Sequence, residues 1–396
     1  MAPVRWMAAC ASRRAFLAGA AGLLATTLAG CGVRESAAGS ARLWVPPWAG
    51  TPGATPIEAV PRTPKAELFG VAGNAFPWEP DFPAFARLLA ASQVGWARVE
   101  LRWEGVEPNP GNWTWRIYDE LVDAYGQLGI QQLGLLCYSV AWAAGQSGPR
   151  PVFGPPVDLD AWEGYVQAVV RRYHDRIHAW EIWNEPDAPI FWNNQDGGDP
   201  QVYLTLLERA ARVIKAIDHS ATVLNGGVTG TERGANFLKA LLDLGGGKYL
   251  DGIALHGYVP NGYIDDPWFR TAVWPLLAGM VTRSGKRLWI TEVGWSSGAD
   301  GGASAGSEAA QASLLARHLP LLFNLPNLEH IFVFQFKDPN DTPNSFGLVR
   351  ADATPKPAYS VLRTYAEVLR GLGFQQRVPR SGEVWDVRFG GPGRVV

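Results

Sequence analysis

The sequence predicts an α/β protein, a (β/α)8 TIM barrel with a short C-terminal β extension. Three observations predict it. From Ala66 onward, eight short apolar runs alternate with amphipathic stretches of helical period, a pattern that builds a parallel sheet. The runs recur about every 37 residues, the spacing of a closed barrel of βα units. No Gly-rich dinucleotide fingerprint follows the first run, as an open doubly wound sheet for nucleotides would need. At 396 residues the chain exceeds a typical single domain but suits one large barrel.

Taken in order, the first 31 residues read as an address. Arg5, Arg13 and Arg14 precede the apolar run Ala15 to Gly30, which is shorter than the ~20 residues that span a bilayer and fits a signal h-region. "SRRAFL" (Ser12 to Leu17) resembles a twin-arginine export motif, and "LAGC" (Leu28 to Cys31) resembles a bacterial lipobox. Cys31 is then the expected lipidation site, and the chain is expected at the bacterial cell envelope, exported, lipid-anchored to the membrane and facing outward. Residues 32–65, rich in Pro, Ala, Gly and Ser, read as a tether. Residues 66–370 form the expected barrel.

Its strand candidates are "LFGVAGN" (from Leu68), "WARVELRW" (Trp96), "QLGLLCYS" (Gln132), "IHAWEIWNE" (Ile177), "TVLNGGV" (Thr222), "DGIALHGY" (Asp251), "RLWITEVGW" (Arg287) and "HIFVFQF" (His330). Between the third and fourth, Trp162, Tyr165, Val166, Val169, Val170 and Tyr173 recur at three- and four-residue steps, one apolar helix face with Asp158 or Asp160 as its cap. The tail, 371–396, reads as one or two short strands around a Gly-rich turn.

Composition narrows the function. A formal net charge of −2 leaves no basic field for phosphates, so nucleic acid is excluded as a partner. Core filling accounts for most of the eighteen tryptophans, but flat aromatic faces also stack on sugar rings, and the excess mildly favours a carbohydrate ligand. With Cys10 cleaved, Cys31 lipidated and Cys137 inside a strand, no disulfide pair remains. No His/Cys cluster has metal spacing and no phosphate loop occurs, so no metal and no cofactor is expected. A monomer is expected.

A functional acid of such a barrel belongs at the C-terminal end of its strand. Glu185 ends the fourth candidate strand, in "WEIWNEPD", and is followed by the ladder-breaking Pro186; Glu292 stands near the end of the seventh. Strands four and seven lie on opposite arcs, so the two carboxylates can face one cleft, as hydrolysis of a glycosidic bond requires. Glu181, four residues deeper, is expected by alternation on the same face, as a buried structural acid needing a partner such as Arg98.

"WEIWNEP" with "ITEVGW" resembles the retaining (β/α)8 glycoside hydrolase superfamily of the clan A type, whose acid/base and nucleophile are glutamates on strands four and seven. The run Trp96 to Ile130 is similar to the second βα unit of these enzymes. "NEPDAPIFW" through "YLTLL" resembles family 39 and the family 5-like group, and "GLVRADATPKPAY" resembles the run after strand eight. The resemblance implies Glu185 as general acid/base, Glu292 as nucleophile and Asn184 at the sugar 2-hydroxyl. His256 and Tyr258 would line the nucleophile's side, with Arg98 keeping Glu292 ionised. Trp295, Trp142 and Trp192 are candidate sugar platforms, while Glu100, Glu104 and Glu107 read as rim or solvated acids. The expected activity is retaining hydrolysis of a β-linked oligo- or polysaccharide. The alternatives are a transglycosidase remodelling envelope polysaccharide and an inactive sugar-binding lipoprotein. Specificity would reside in loops 141–157, 187–199 and 259–267.

Overall fold

The structure, a computed structural model, describes residues 66–73, 77, 79, 81–144, 151–259, 273–298, 304–339, 345–378, 386–391 and 393–396. The address segment with Cys31, the tether, and parts of loops 141–157 and 259–267 lie outside them. Eight parallel strands close into a barrel in sequence order. They are β1 (Ala66–Ala72), β2 (Val94–Arg102), β3 (Gln131–Cys137), β4 (Ala179–Ile182), β5 (Thr222–Asn225), β6 (Gly252–His256), β7 (Arg287–Val293) and β8 (Leu328–Phe334). Around them run α1 (Phe82–Ala91), the short α2 (Trp103–Val106), α3 (Arg116–Gln127), α4 (Leu159–Tyr173) and the short α5 (Pro189–Trp192). The ring continues with α6 (Pro200–Ile217), α7 (Glu232–Asp243), α8 (Trp274–Ser284), α9 (Glu308–Leu322) and α10 (Pro357–Val368).

Helix α4 forms for the expected reasons. Its six-residue apolar face is buried, and Asp158, not Asp160, caps it by accepting from the N–H groups of Asp160 (3.1 Å) and Ala161 (2.9 Å). That places an acceptor on donors the first turn otherwise leaves bare. Asp199, Thr231 and Ser307 cap α6, α7 and α9 in the same way.

The barrel interior is layered. Near its base, Trp96, Trp289, His330 and Phe332 interlock, with the Trp96 and Trp289 rings 5.2 Å apart edge to face and Trp289 stacked on Phe332 at 6.1 Å. Gly70 makes room for this, since a Cβ there would meet the Phe332 ring at 2.5 Å. Above that apolar plug the interior turns polar, with Arg98, Glu181 and Thr291 all buried. Such charges persist under cover only when paired.

Two expectations need correction. Strand β4 ends at Ile182, so Glu185 lies beyond the strand rather than at its last position. Trp183 (φ 72°) and Glu185 (φ 41°) take left-handed backbone, which ends strand alternation before the motif is complete. The tail forms three antiparallel strands, not one or two: β9 (Gly373–Val378), β10 (Asp386–Gly391) and β11 (Arg394–Val395). Phe389 on β10 packs edge-on against Phe323 after α9, with centroids 4.7 Å apart.

Candidate active site

The site is built upward from one buried cation. Strand β2 turns Arg98 into the barrel, where its Nε and Nη2 donate to Glu181 (2.6 and 3.2 Å). Its Nη1 donates to Glu292 Oε1 (2.6 Å) and its Nη2 also to Asn184 Oδ1 (2.8 Å). Glu181 is therefore the structural acid with Arg98 as partner, and its remaining lone pairs accept from Gly227 N–H (2.7 Å) and Thr291 Oγ1 (3.1 Å). Arg98 serves both carboxylates rather than one. All three of its nitrogens donate, through four of the five N–H groups, so its main work is to position Glu292 and Asn184.

Glu185 and Glu292 meet at the barrel mouth. His256 Nδ1 lies 2.7 Å from Glu185 Oε1 and 3.8 Å from Glu292 Oε2. Those two oxygens stand no farther apart than the two distances laid end to end. That is at most the lower edge of the ~6.5–9.5 Å carboxyl separation of inverting sites and compatible with the ~5–5.5 Å of retaining ones. Tyr258 Oη donates to Glu292 Oε2 (2.8 Å). Gly227 allows the approach of His256, because a Cβ there would sit 2.4 Å from the imidazole.

Burial, reinforced by the charges of Glu292 and Asp187, raises the Glu185 carboxyl well above its ordinary range, with Arg98 pulling the other way. Burial also raises Glu292, to about 7, although Arg98 and the Tyr258 hydroxyl oppose it. The expectation that Arg98 keeps Glu292 fully ionised is thus met in contact but outweighed by desolvation. Glu292 still loses its proton before Glu185, which divides the pair into one carboxylate and one acid. Burial and then Arg98 hold His256 far below its usual value, so the ring is neutral. Its Nε2 meets no partner among the described residues, which assigns the single ring proton to Nδ1, donating to Glu185.

The tryptophans separate. Trp192 is buried among Trp183 and Tyr203, and Trp295 is 1% exposed with its ring edge-on to His318, so both pack rather than offer an open face. Trp142 alone of the three stays half-exposed, edge-on to Trp103. The acids near β2 also differ from expectation. Glu107 is buried, accepting from Trp103 Nε1 (2.9 Å) and Gly111 N–H (2.7 Å), and so pins the turn at Pro108. Glu104 pairs with Arg102, and Glu100 is half-buried facing the barrel interior.

Sequence reasoning missed the braces. Asp187, the last residue of the motif, is buried and accepts from Thr229 N–H (3.1 Å) and from the Thr229 hydroxyl, tying the loop after β4 to that after β5. Tyr203 on α6 donates to Ile182 O (2.8 Å) and accepts from Gly226 N–H (2.7 Å). Both sit within quoted runs, but only tertiary pairing gives them a role. Among the described residues, no group of His, Cys, Asp and Glu is arranged to hold a metal ion, and no helix is long and apolar enough to cross a membrane.

The fold and the paired glutamates resemble those of (β/α)8 glycoside hydrolases. Within that class it is similar to family 39. It superposes on a family 39 glycoside hydrolase from Bacteroides cellulosilyticus with a TM-score of 0.67 and 26% identity, over 84% of this chain and 69% of that one. The family 39 enzyme of Xanthomonas axonopodis pv. citri matches with a TM-score of 0.61 and 21% identity, over 83% and 70%. A β-xylosidase of Geobacillus stearothermophilus is 31% identical over 116 residues, which is 25% of this chain and 21% of that enzyme. The chain thus spans about a fifth of that relative. No family model matches it.

Proposed function

We propose that the protein is a retaining glycoside hydrolase that cleaves a β-linked oligo- or polysaccharide by double displacement. The observation that carries this reading is the divided carboxyl pair: Glu185 against His256 at 2.7 Å, Glu292 against Arg98 at 2.6 Å and Tyr258 at 2.8 Å. Glu185, the group that keeps its proton to higher pH, donates it to the leaving oxygen while Glu292 attacks the anomeric carbon. The C–O bond to the leaving group breaks as the Glu292 ester forms. Glu185, now a carboxylate, takes a proton from water, whose oxygen attacks the anomeric carbon and releases Glu292. Asn184, held by Arg98 Nη2, supports the sugar 2-hydroxyl. The similarity to a β-xylosidase favours a β-linked pentose. The segment ending at Cys31 supports export and lipid anchoring at the cell envelope.

The test is trapping. A 2-deoxy-2-fluoro β-glycoside with a dinitrophenolate leaving group should add one glycosyl mass to Glu292, located by peptide mass spectrometry, and Glu292→Ala should take up none. Products of inverted configuration would end the proposal. Products longer than the starting oligosaccharide would move the reading to transglycosylation.

A further inference from the structure

Strand β2 carries more polar chemistry than the two glutamates require. Its register with β3 pairs Arg98, Glu100 and Arg102 with Leu133, Leu135 and Cys137. All three therefore face the barrel interior, rising toward the mouth at about 6.6 Å per step. Arg98, the lowest, donates from all three nitrogens. The two above it are less fully engaged. Glu100 Oε2 is enclosed yet accepts no hydrogen bond among the described residues. Arg102 is buried, and its Nε and Nη2 make no hydrogen bond there, although the guanidinium forms an ion pair with Glu104. The Glu104 ion pair and packing together fix that guanidinium, which lies 5.3 Å from the centre of the Tyr138 ring and 5.9 Å from that of Phe153.

Enclosed polar atoms without partners cost free energy in a folded chain, and those that persist are completed by bound water or by a ligand. Among the described residues, Glu100 Oε2 is left as an open acceptor and Arg102 Nε as an open donor, since Arg102 Nη2 is held by Glu104, on the strand whose lower residue already holds Glu292. We propose that Glu100 and Arg102 form a clamp for the sugar ring seated against Glu292, Glu100 accepting from one ring hydroxyl and Arg102 donating to its neighbour. This rests on the glycosidase reading and names the ligand class of the subsite, a vicinal diol of a neutral pyranose. Burial pushes the Glu100 carboxyl up while Arg102 and Arg98 pull it down. A ring hydroxyl can pair with either protonation state of that group, whereas a uronate carboxylate would face both Glu100 and Glu104.

The clamp is tested on the full-length protein with 4-nitrophenyl β-D-xylopyranoside and β-D-glucopyranoside, and with their 3-deoxy and 4-deoxy analogues. Glu100→Gln and Arg102→Met should each lower kcat/KM for the parent glycoside ten- to hundred-fold, chiefly through KM. Arg102→Lys should recover part of that loss. The deoxy analogue lacking the clamped hydroxyl should react with wild type and variant at rates within about three-fold of each other. Losses from variant and deoxygenation that simply multiply for both positions would overturn the clamp, as would unchanged kcat/KM. Thermal unfolding within a few degrees of wild type separates a lost contact from a lost fold. If wild type turns over neither glycoside, binding of free xylose, glucose and glucuronate is followed by ligand-observed NMR. A neutral sugar bound by wild type and released by Glu100→Gln keeps the clamp and counts against the hydrolase reading alone. No binding, or preference for glucuronate, overturns the clamp.

Discussion

At the scale of single residues, Glu185 and Glu292 start from the same chemistry, and their surroundings part them. Glu292 touches a guanidinium and a phenol; Glu185 touches a neutral imidazole and carries the neighbouring charges of Glu292 and Asp187. The sign of the pH dependence follows. The proposed double displacement needs Glu292 without its proton, so kcat/KM should rise with pH through about 7. It also needs Glu185 with its proton, so the rate should fall again at higher pH, giving a bell. Glu185→Gln should remove the alkaline limb and keep the acidic one. Its kcat/KM should drop about 10²–10⁴-fold on phenyl glycosides, whose leaving group needs a proton, but little on 2,4-dinitrophenyl glycosides, where kcat falls instead because the second step has lost its base. An alkaline limb that survives in the variant would take the acid role from Glu185. His256→Ala removes the N–H that favours the carboxylate form of Glu185, so the alkaline limb should move to higher pH.

At the scale of elements, the acid is aimed by a loop rather than by its strand. Beyond Ile182 the chain takes left-handed backbone at Trp183 and again at Glu185, where the following proline disfavours helical backbone. Such geometry persists only when surrounding bonds over-determine it. Glu185 N–H donates to Gly227 O (3.1 Å), and Asp187 grips Thr229 by both carboxylate oxygens. Asp187→Asn has only one oxygen to offer and should let the acid drift, with a ten- to hundred-fold loss. The loss should appear on phenyl glycosides and be small on dinitrophenyl ones, which need no acid; equal losses on both would mean that Asp187 supports something other than aim. This is also where legibility in the sequence stops. The eight runs and the α4 face could be read because period and position alone define them, whereas the two glutamates are read from their motifs, and Glu185 lies past the end of its strand rather than at it. Asp187, Tyr203 and the bonding of Arg98 could not be read, since each depends on which loops meet across the barrel. The tryptophans misled for the same reason: Trp192 and Trp295 are aromatic residues near a mouth, but helices α6 and α9 pack against that region and cover their rings.

At the scale of the whole molecule, a polar tier over an apolar plug sets stability against activity. Glu185 keeps its proton in the folded chain to well above the ordinary carboxylate value of 4.5, while the unfolded chain gives it up near that value. The folded state therefore binds more protons between the two, and stability must fall as pH rises through that window. Glu292, raised to about 7, adds to the same trend. Glu185→Gln keeps an acceptor for His256 Nδ1 and the same volume, but has no proton to lose. Its thermal midpoint at pH 7 should lie a few degrees above wild type. The gap should close at pH 4, where both chains are neutral at this position, and calorimetry at the two pH values measures it. A midpoint below wild type at pH 7 would mean that the ionised carboxyl stabilises the fold, which would contradict the raised value on which the acid role of Glu185 depends. A gain confined to neutral pH would locate the strain of this barrel in the group that gives it chemistry.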